Sequence, residues 1–108
     1  MESKELGKIA KVRFGFGGYQ DAQFGVGFEL GGKGWGVSDF WGMWATRSSN
    51  CEWTEQDQNA EWGSALRQLI ALMQEAKVTD VAKLQGVPVE AVFVDRGLVS
   101  WRVLTEVL

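Results

Sequence analysis

The clearest pattern in the chain is a strict alternation from Asp21 to Leu30. Ala22, Phe24, Val26, Phe28 and Leu30 are apolar, and Asp21, Gln23, Gly25, Gly27 and Glu29 between them are polar or glycine. A period of two sets these groups on opposite faces of a strand, so one face must be buried. The other face is either solvated or covered by something large. Upstream, Ile9 to Phe16 alternates less cleanly, with Val12, Phe14 and Phe16 inward against Lys11 and Arg13. Gly17-Gly18-Tyr19-Gln20 supplies the turn, because glycine reaches positive φ at little steric cost. A hairpin is therefore predicted. Gly31-Gly32-Lys33-Gly34 makes the next turn, and Trp35 to Trp44 forms a third strand.

The period changes after residue 50. Trp62, Leu66, Leu69, Ile70, Met73 and Ala76 recur at three and four residues, which makes one apolar helical stripe. Thr54 and Asp57 resemble a capping box with Asp in the acceptor position, and Glu52, Glu55, Asp57 and Glu61 suit the positive end of a helix. The helix is placed at 55–76. Thr79 or Asp80 can cap a short turn through Leu84 that stops at Gly86. Pro88 then opens a strand, where its missing N–H is tolerated. Val89 to Val94, Asp95-Arg96-Gly97 and Leu98 to Leu104 read as a closing hairpin. The expected fold is α+β: a three-stranded antiparallel meander rich in glycine and aromatics over 8–45, one main helix, and a C-terminal β-hairpin over 87–104. The hairpin either joins the meander's sheet or forms a second layer.

Composition sharpens this picture. Eleven of the 14 glycines lie between Gly7 and Gly42, so the first part reads as a glycine-rich antiparallel sheet and the second as a helix followed by a hairpin. Residues 1–50 hold six basic and five acidic side chains, and residues 51–108 hold five and nine. No linker separates the halves, and a chain of 108 residues supports one ordinary core, so 1–108 is read as one domain. The mixed-charge start Met1 to Leu6 has no apolar run behind it, and no signal peptide is expected. A single cysteine, Cys51, excludes an intrachain disulfide and fits a reducing compartment. The absence of histidine removes Ser-His-Asp and Cys-His catalysis and leaves no structural zinc site. A net charge of −3 argues against general nucleic-acid binding, which rests on neutralising phosphates. No cofactor and no metal are expected.

Candidate sites are few, and each competes with a plainer explanation. Gly27-Phe-Glu-Leu-Gly-Gly32-Lys33-Gly34 approaches a phosphate-cradling loop, but Gly34 stands where the hydroxyl residue belongs and the segment joins two strands. A lysine-bearing hairpin turn explains it. Within Trp35-Gly-Val-Ser-Asp-Phe-Trp-Gly-Met-Trp44, Trp35, Val37, Asp39, Trp41 and Met43 share one face, and Gly36, Ser38, Phe40, Gly42 and Trp44 the other. Aromatics on both faces imply that one set lies beyond the main core. Gly25 and Gly27 next door leave a floor for an indole, either as sheet-stabilising cover or as a shallow cleft with Asp39 and Ser38 as polar handles. Tyr19-Gln20-Asp21 presents polar groups at the hairpin tip, in ordinary turn chemistry or as part of a site. Asp21 and Asp39 would pair only if adjacent strands brought them to one sheet end. The acidic run from Cys51 to Trp62 is explained by helix-start preference. Lys4, Lys8, Lys11 and Arg13 read as the solvated face and edge protection of an outer strand.

Three stretches carry a resemblance. Gly17-Gly-Tyr-Gln-Asp-Ala-Gln23, Gly31-Gly-Lys-Gly-Trp-Gly-Val-Ser-Asp-Phe-Trp-Gly42, and Lys83-Leu-Gln-Gly-Val-Pro-Val89 leading to Ser100-Trp-Arg-Val-Leu-Thr-Glu-Val-Leu108 resemble small accessory proteins encoded in tailed-phage genomes and prophages. The likeness covers nearly the whole chain. It implies a bacterial cytoplasm during infection or lysogeny, and a counter-defence role by binding a host protein or sequestering a nucleotide. It assigns no catalytic or binding residues. The expected function is therefore a non-catalytic protein that binds and occludes a host bacterial protein. Tyr19, Asp21, Trp35, Asp39, Trp41 and Trp44 would carry it, with aromatics as anchors and carboxylates setting orientation. The alternatives are a nucleotide-binding protein whose indoles stack on a base, and a homodimer or larger homo-oligomer whose surplus aromatics meet across a two-fold axis.

Overall fold

A computed structural model describes residues 1–108. Five antiparallel strands form one sheet: β1 (Glu2–Gly17), β2 (Gln23–Gly32), β3 (Trp35–Trp44), β4 (Pro88–Val94) and β5 (Gly97–Val103). Their spatial order is β3-β2-β1-β4-β5, and a single long helix, α1 (Glu55–Ala76), crosses between β3 and β4 in the chain. The fold is α+β with a C-terminal hairpin, and that hairpin joins the same sheet. No helix is long and apolar enough to cross a membrane.

β1 differs from the expectation in two ways. It starts at Glu2 and not near Ile9, and it lies at the centre of the sheet order, so Lys4 and Lys8 sit on a strand paired with β4, while Lys11 and Arg13 lie where β1 pairs with β2 alone. Its first part pairs with β4 from Glu2 to Lys8, and its later part pairs with β2 from Gly7 to Gly17, with a bulge between Ile9 and Lys11. A weak alternation hid the first part, because Ser3, Glu5 and Gly7 face the core side opposite Phe93, Ala91 and Val89. The apolar contribution there comes from β4 and from Trp35 of β3.

Ile9, Val26, Phe28, Leu30, Val89 and Val103 are buried on one face of the sheet and pack with Leu69, Leu72 and Ala76 of α1 and Leu84 of the connector. The helix begins at a complete capping box: Asp57 N–H donates to Thr54 Oγ1 at 3.1 Å and Thr54 N–H donates to Asp57 Oδ2 at 2.8 Å. The Asp57 carboxyl is held below its ordinary value by these bonds to Thr54. The helix is seated by side chains as well as by burial. Gln58, itself buried, donates to the Trp44 and Ala45 carbonyls at 2.7 and 3.2 Å, and Trp62 donates to the Phe24 carbonyl at 2.8 Å. Asp80 caps the short 3-10 turn Val81–Leu84.

Candidate functional site

The six proposed site residues separate into two groups, because consecutive strand residues point to opposite faces. Asp39, Trp41 and Trp35 lie on the helix side, paired across from Phe28, Val26 and Gly32. Trp44 lies on the outer face opposite Gln23, beside Tyr19 and Asp21 at the tip of the first hairpin.

The helix-side group is a structural seam. The Asp39 carboxylate accepts from its neighbour's amide, Phe40 N–H, at 2.9 Å, from Trp41 Nε1 at 3.1 Å and from Trp101 Nε1 at 2.7 Å. The two indoles stack, with centroids 5.5 Å apart and planes 14° apart, and Phe28 meets both edge-on at 4.7 and 5.1 Å. Trp101 belongs to β5 and Asp39 to β3, the two outermost strands. A hydrogen bond between opposite edges is possible only because the sheet curls strongly, as right-twisted antiparallel sheets do. Asp39 therefore ties β3 to β5, and its carboxylate already accepts from three donors. Farther along the same face, Trp35 lies over Gly7 and Gly32, meets Phe93 edge-on at 5.5 Å and donates to the Leu6 carbonyl at 3.3 Å.

This placement bears on two expectations. Ser38 and Asp39 both line one open depression of the sheet, but the Asp39 carboxylate is bonded to Trp41 and Trp101 on the helix side while Ser38 faces outward. Asp21 and Asp39 do not meet as a pair: Asp39 is opposite Phe28, five residue pairs along β2 from Gln23, and Asp21 lies beyond Gln23 at the tip. Asp21 also makes no side-chain hydrogen bond, so local amide capture does not explain it. Its backbone has φ 54°, as does that of Gln20, a left-handed pair that Gly18 at φ 69° leads into. No group of three or more Cys, Asp or Glu residues is placed to hold a metal ion.

The outer face carries the second group. Here the glycine floor holds a phenyl ring and not an indole. Phe40 lies over Gly17, Gly27 and Gly42, where an added Cβ would stand 2.7, 3.3 and 2.6 Å from its ring. Trp44 meets Tyr19 edge-on at 6.4 Å, and Tyr19 is 69% exposed. Between these aromatics and the far end of the hairpin is an open depression of about 410 Å³ whose rim includes Lys11, Arg13, Asp21, Glu29, Ser38 and Phe40. Both charge signs and an aromatic floor suit contact with a polar, shaped partner.

A second depression of about 410 Å³ is almost wholly apolar. Phe14 and Phe16 of β1 form one wall, Phe24 and Trp41 lie in its floor, and Trp62 and Leu66 of α1 form the other wall. Phe14, Phe16 and Leu66 are each about half exposed. The remaining features are local. The Lys33-Gly34 segment is the β2–β3 turn, with Gly34 at φ 81°. Cys51 Sγ rests against the Trp53 carbonyl, which also accepts two bonds from Arg47, and the Arg47 guanidinium stacks 5.6 Å from the Trp53 ring.

Trp101, Phe28, Gln58 and Phe40 were not singled out from the sequence, although they organise these surfaces. The link from Asp39 to Trp101 spans 62 residues, and no local pattern announces it. Phe40 had a signal: it is the outward aromatic beside Gly42 and across from Gly27. Comparison with family models, characterised proteins and solved structures finds no match for the chain.

Proposed function

We propose that this chain is a non-catalytic binding protein that engages another protein through the outer face at the tip of the first hairpin. The observation that carries this reading is the edge-on pair of exposed Tyr19 and partly buried Trp44 beside the depression rimmed by Arg13, Asp21 and Phe40. Tyrosine and tryptophan bury much area at small entropic cost, and flanking charges fix orientation, which is the usual anatomy of an interface centre. The phage resemblance adds a context in which the partner is a host bacterial protein and the action is occlusion. Asp39, Trp41 and Trp35 leave the contact set under this reading and act as its scaffold.

The test is capture of bacterial proteins on the immobilised chain, compared with Tyr19→Ala/Trp44→Ala. A partner retained by the wild type and lost with a correctly folded double variant supports the reading. Retention by both overturns the assignment to this face. A nucleotide ligand is the second reading, favoured by Phe40 lying flat beside Lys11 and Arg13. Saturable quenching of tryptophan fluorescence by mono-, di- or cyclic nucleotides would put it first.

A further inference from the structure

We propose that two copies of this chain associate through the free edge of β1, residues 11–17, to make one ten-stranded sheet with Phe14 on the two-fold axis. The apolar groove lies on the opposite face from the partner-binding depression, whose rim shares Lys11 and Arg13 with this edge, and variants at Phe14 test the association without touching Tyr19 or Trp44.

β1 is paired on both sides only around Gly7 and Lys8. Beyond Lys8 its β4-side edge makes two more backbone bonds, Ile9 N–H to the Val87 carbonyl at 2.9 Å and Gly86 N–H to the Ile9 carbonyl at 2.7 Å. From Lys11 to Gly17 that edge has no backbone partner. The only side-chain hydrogen bond along this stretch is donated by the Arg13 guanidinium to the Phe16 carbonyl. A seven-residue unpaired edge is a template for another strand.

The sequence of this edge selects a second copy. Antiparallel self-pairing centred on Phe14 sets Phe14 against Phe14, Val12 against Phe16, Arg13 against Gly15 and Lys11 against Gly17. Every apolar residue meets an apolar one on the helix side. Every cation meets a glycine on the outer face, so no like charges oppose. Centring on Arg13 would set arginine against arginine, and centring on Val12 would set Lys11 against Arg13. Such self-complementarity is what an isologous two-fold interface requires. The apolar groove supplies the remaining driving force. Its half-exposed Phe14, Phe16 and Leu66, with Ile70 next to them on α1 at 55% exposure, lie uncovered on the same side. With the strand pairing, their burial in both copies removes on the order of 1,000 Å² of surface, the lower end for a specific dimer.

The experiment is light scattering during size exclusion across protein concentration, joined to cysteine cross-linking in a Cys51→Ser background. The expected mass rises from 12.0 kDa to twice that value with concentration, and Phe14→Lys keeps it at the monomer. Phe14→Cys forms a disulfide-linked dimer under mild oxidation. Lys11→Cys does not, because the two copies of that residue lie about 20 Å apart along the paired strands at 3.4 Å per residue. A wild type that stays monomeric at several hundred micromolar overturns the proposal. So does a dimer in which Phe14→Lys persists, or in which Lys11→Cys cross-links in preference to Phe14→Cys.

Discussion

Asp39 has two indole donors and one amide donor converging on a single carboxylate, and this makes it the most consequential polar residue in the chain. Asp39→Ala strands Trp41 Nε1 and Trp101 Nε1 in a half-buried setting and costs about 2–3 kcal/mol, since each abandoned donor loses its bond without regaining full hydration. Asp39→Asn keeps one oxygen for the two indoles, which share Oδ2 in the native chain, but loses the charge and the oxygen that accepts Phe40 N–H, and costs roughly half as much. Urea denaturation followed by circular dichroism measures both, and a neutral Asp39→Ala would show that the seam is incidental. Glycines on the outer face provide the matching backbone prediction. A Cβ on Gly25 runs into the Trp41 carbonyl and the Gly42 Cα, both backbone atoms of β3. Gly25→Ala therefore separates two strands and costs about 2–3 kcal/mol. Gly34 has open space around it and only its φ of 81° to protect, so Gly34→Ala costs about 1 kcal/mol. Thermal melts of the two variants side by side check the order. At this scale the face of each strand residue was legible from alternation, which separated Trp41 from Trp44. What Asp39 bonds to was not, because its partner belongs to a strand 62 residues away.

Among elements, those with strong local signals appear where the pattern put them. α1 runs from Glu55 to Ala76 with its capping box at Thr54, because a cap, an acidic first turn and a helical stripe all agree. β2, β3 and the C-terminal hairpin follow from alternation and turn residues. β1 did not follow, since its first part borrows its apolar face from β4 and its central position depends on where β4 docks. The hairpin's tail adds a pH-dependent element. Arg102 bonds Glu90 at 3.2 Å and Glu106 at 3.0 Å, and the Arg102 guanidinium pulls the Glu106 carboxyl down to about 2 from its ordinary value of 4.5. A carboxyl whose folded value is depressed stabilises the fold above its unfolded value. That contribution is lost as pH falls from 4.5 towards 2. Asp57 at the helix start acts in the same direction. Glu106→Gln is expected to flatten this part of the acid-unfolding profile while leaving the profile above pH 5 unchanged in shape. An identical acid limb in the variant would show that the pair contributes nothing, which is common for exposed ion pairs.

For the whole molecule, the curl of the sheet decides which aromatics are structural and which are available. Bringing β3 and β5 together packs Trp41, Trp101 and Phe28 into a seam and turns Trp44, Tyr19 and Phe40 outward. The same curl leaves the later half of β1 with an open edge above an apolar groove. Glycine enrichment in the first half of the chain follows from this shape, because Gly7 and Gly32 admit Trp35, and Gly17, Gly27 and Gly42 admit Phe40. The account's central claim is this division of aromatics between scaffold and contact surface. Its most direct test is the equilibrium unfolding free energy of Trp41→Ala beside Trp44→Ala, measured by urea denaturation on the same day. The division predicts a loss of about 3 kcal/mol for Trp41→Ala, which removes one indole of the stacked seam. For Trp44→Ala it predicts a smaller loss, about 1 kcal/mol, as for a partly exposed side chain outside the core cluster. Equal losses, or the larger loss at Trp44, would place Trp44 in the core and contradict the account.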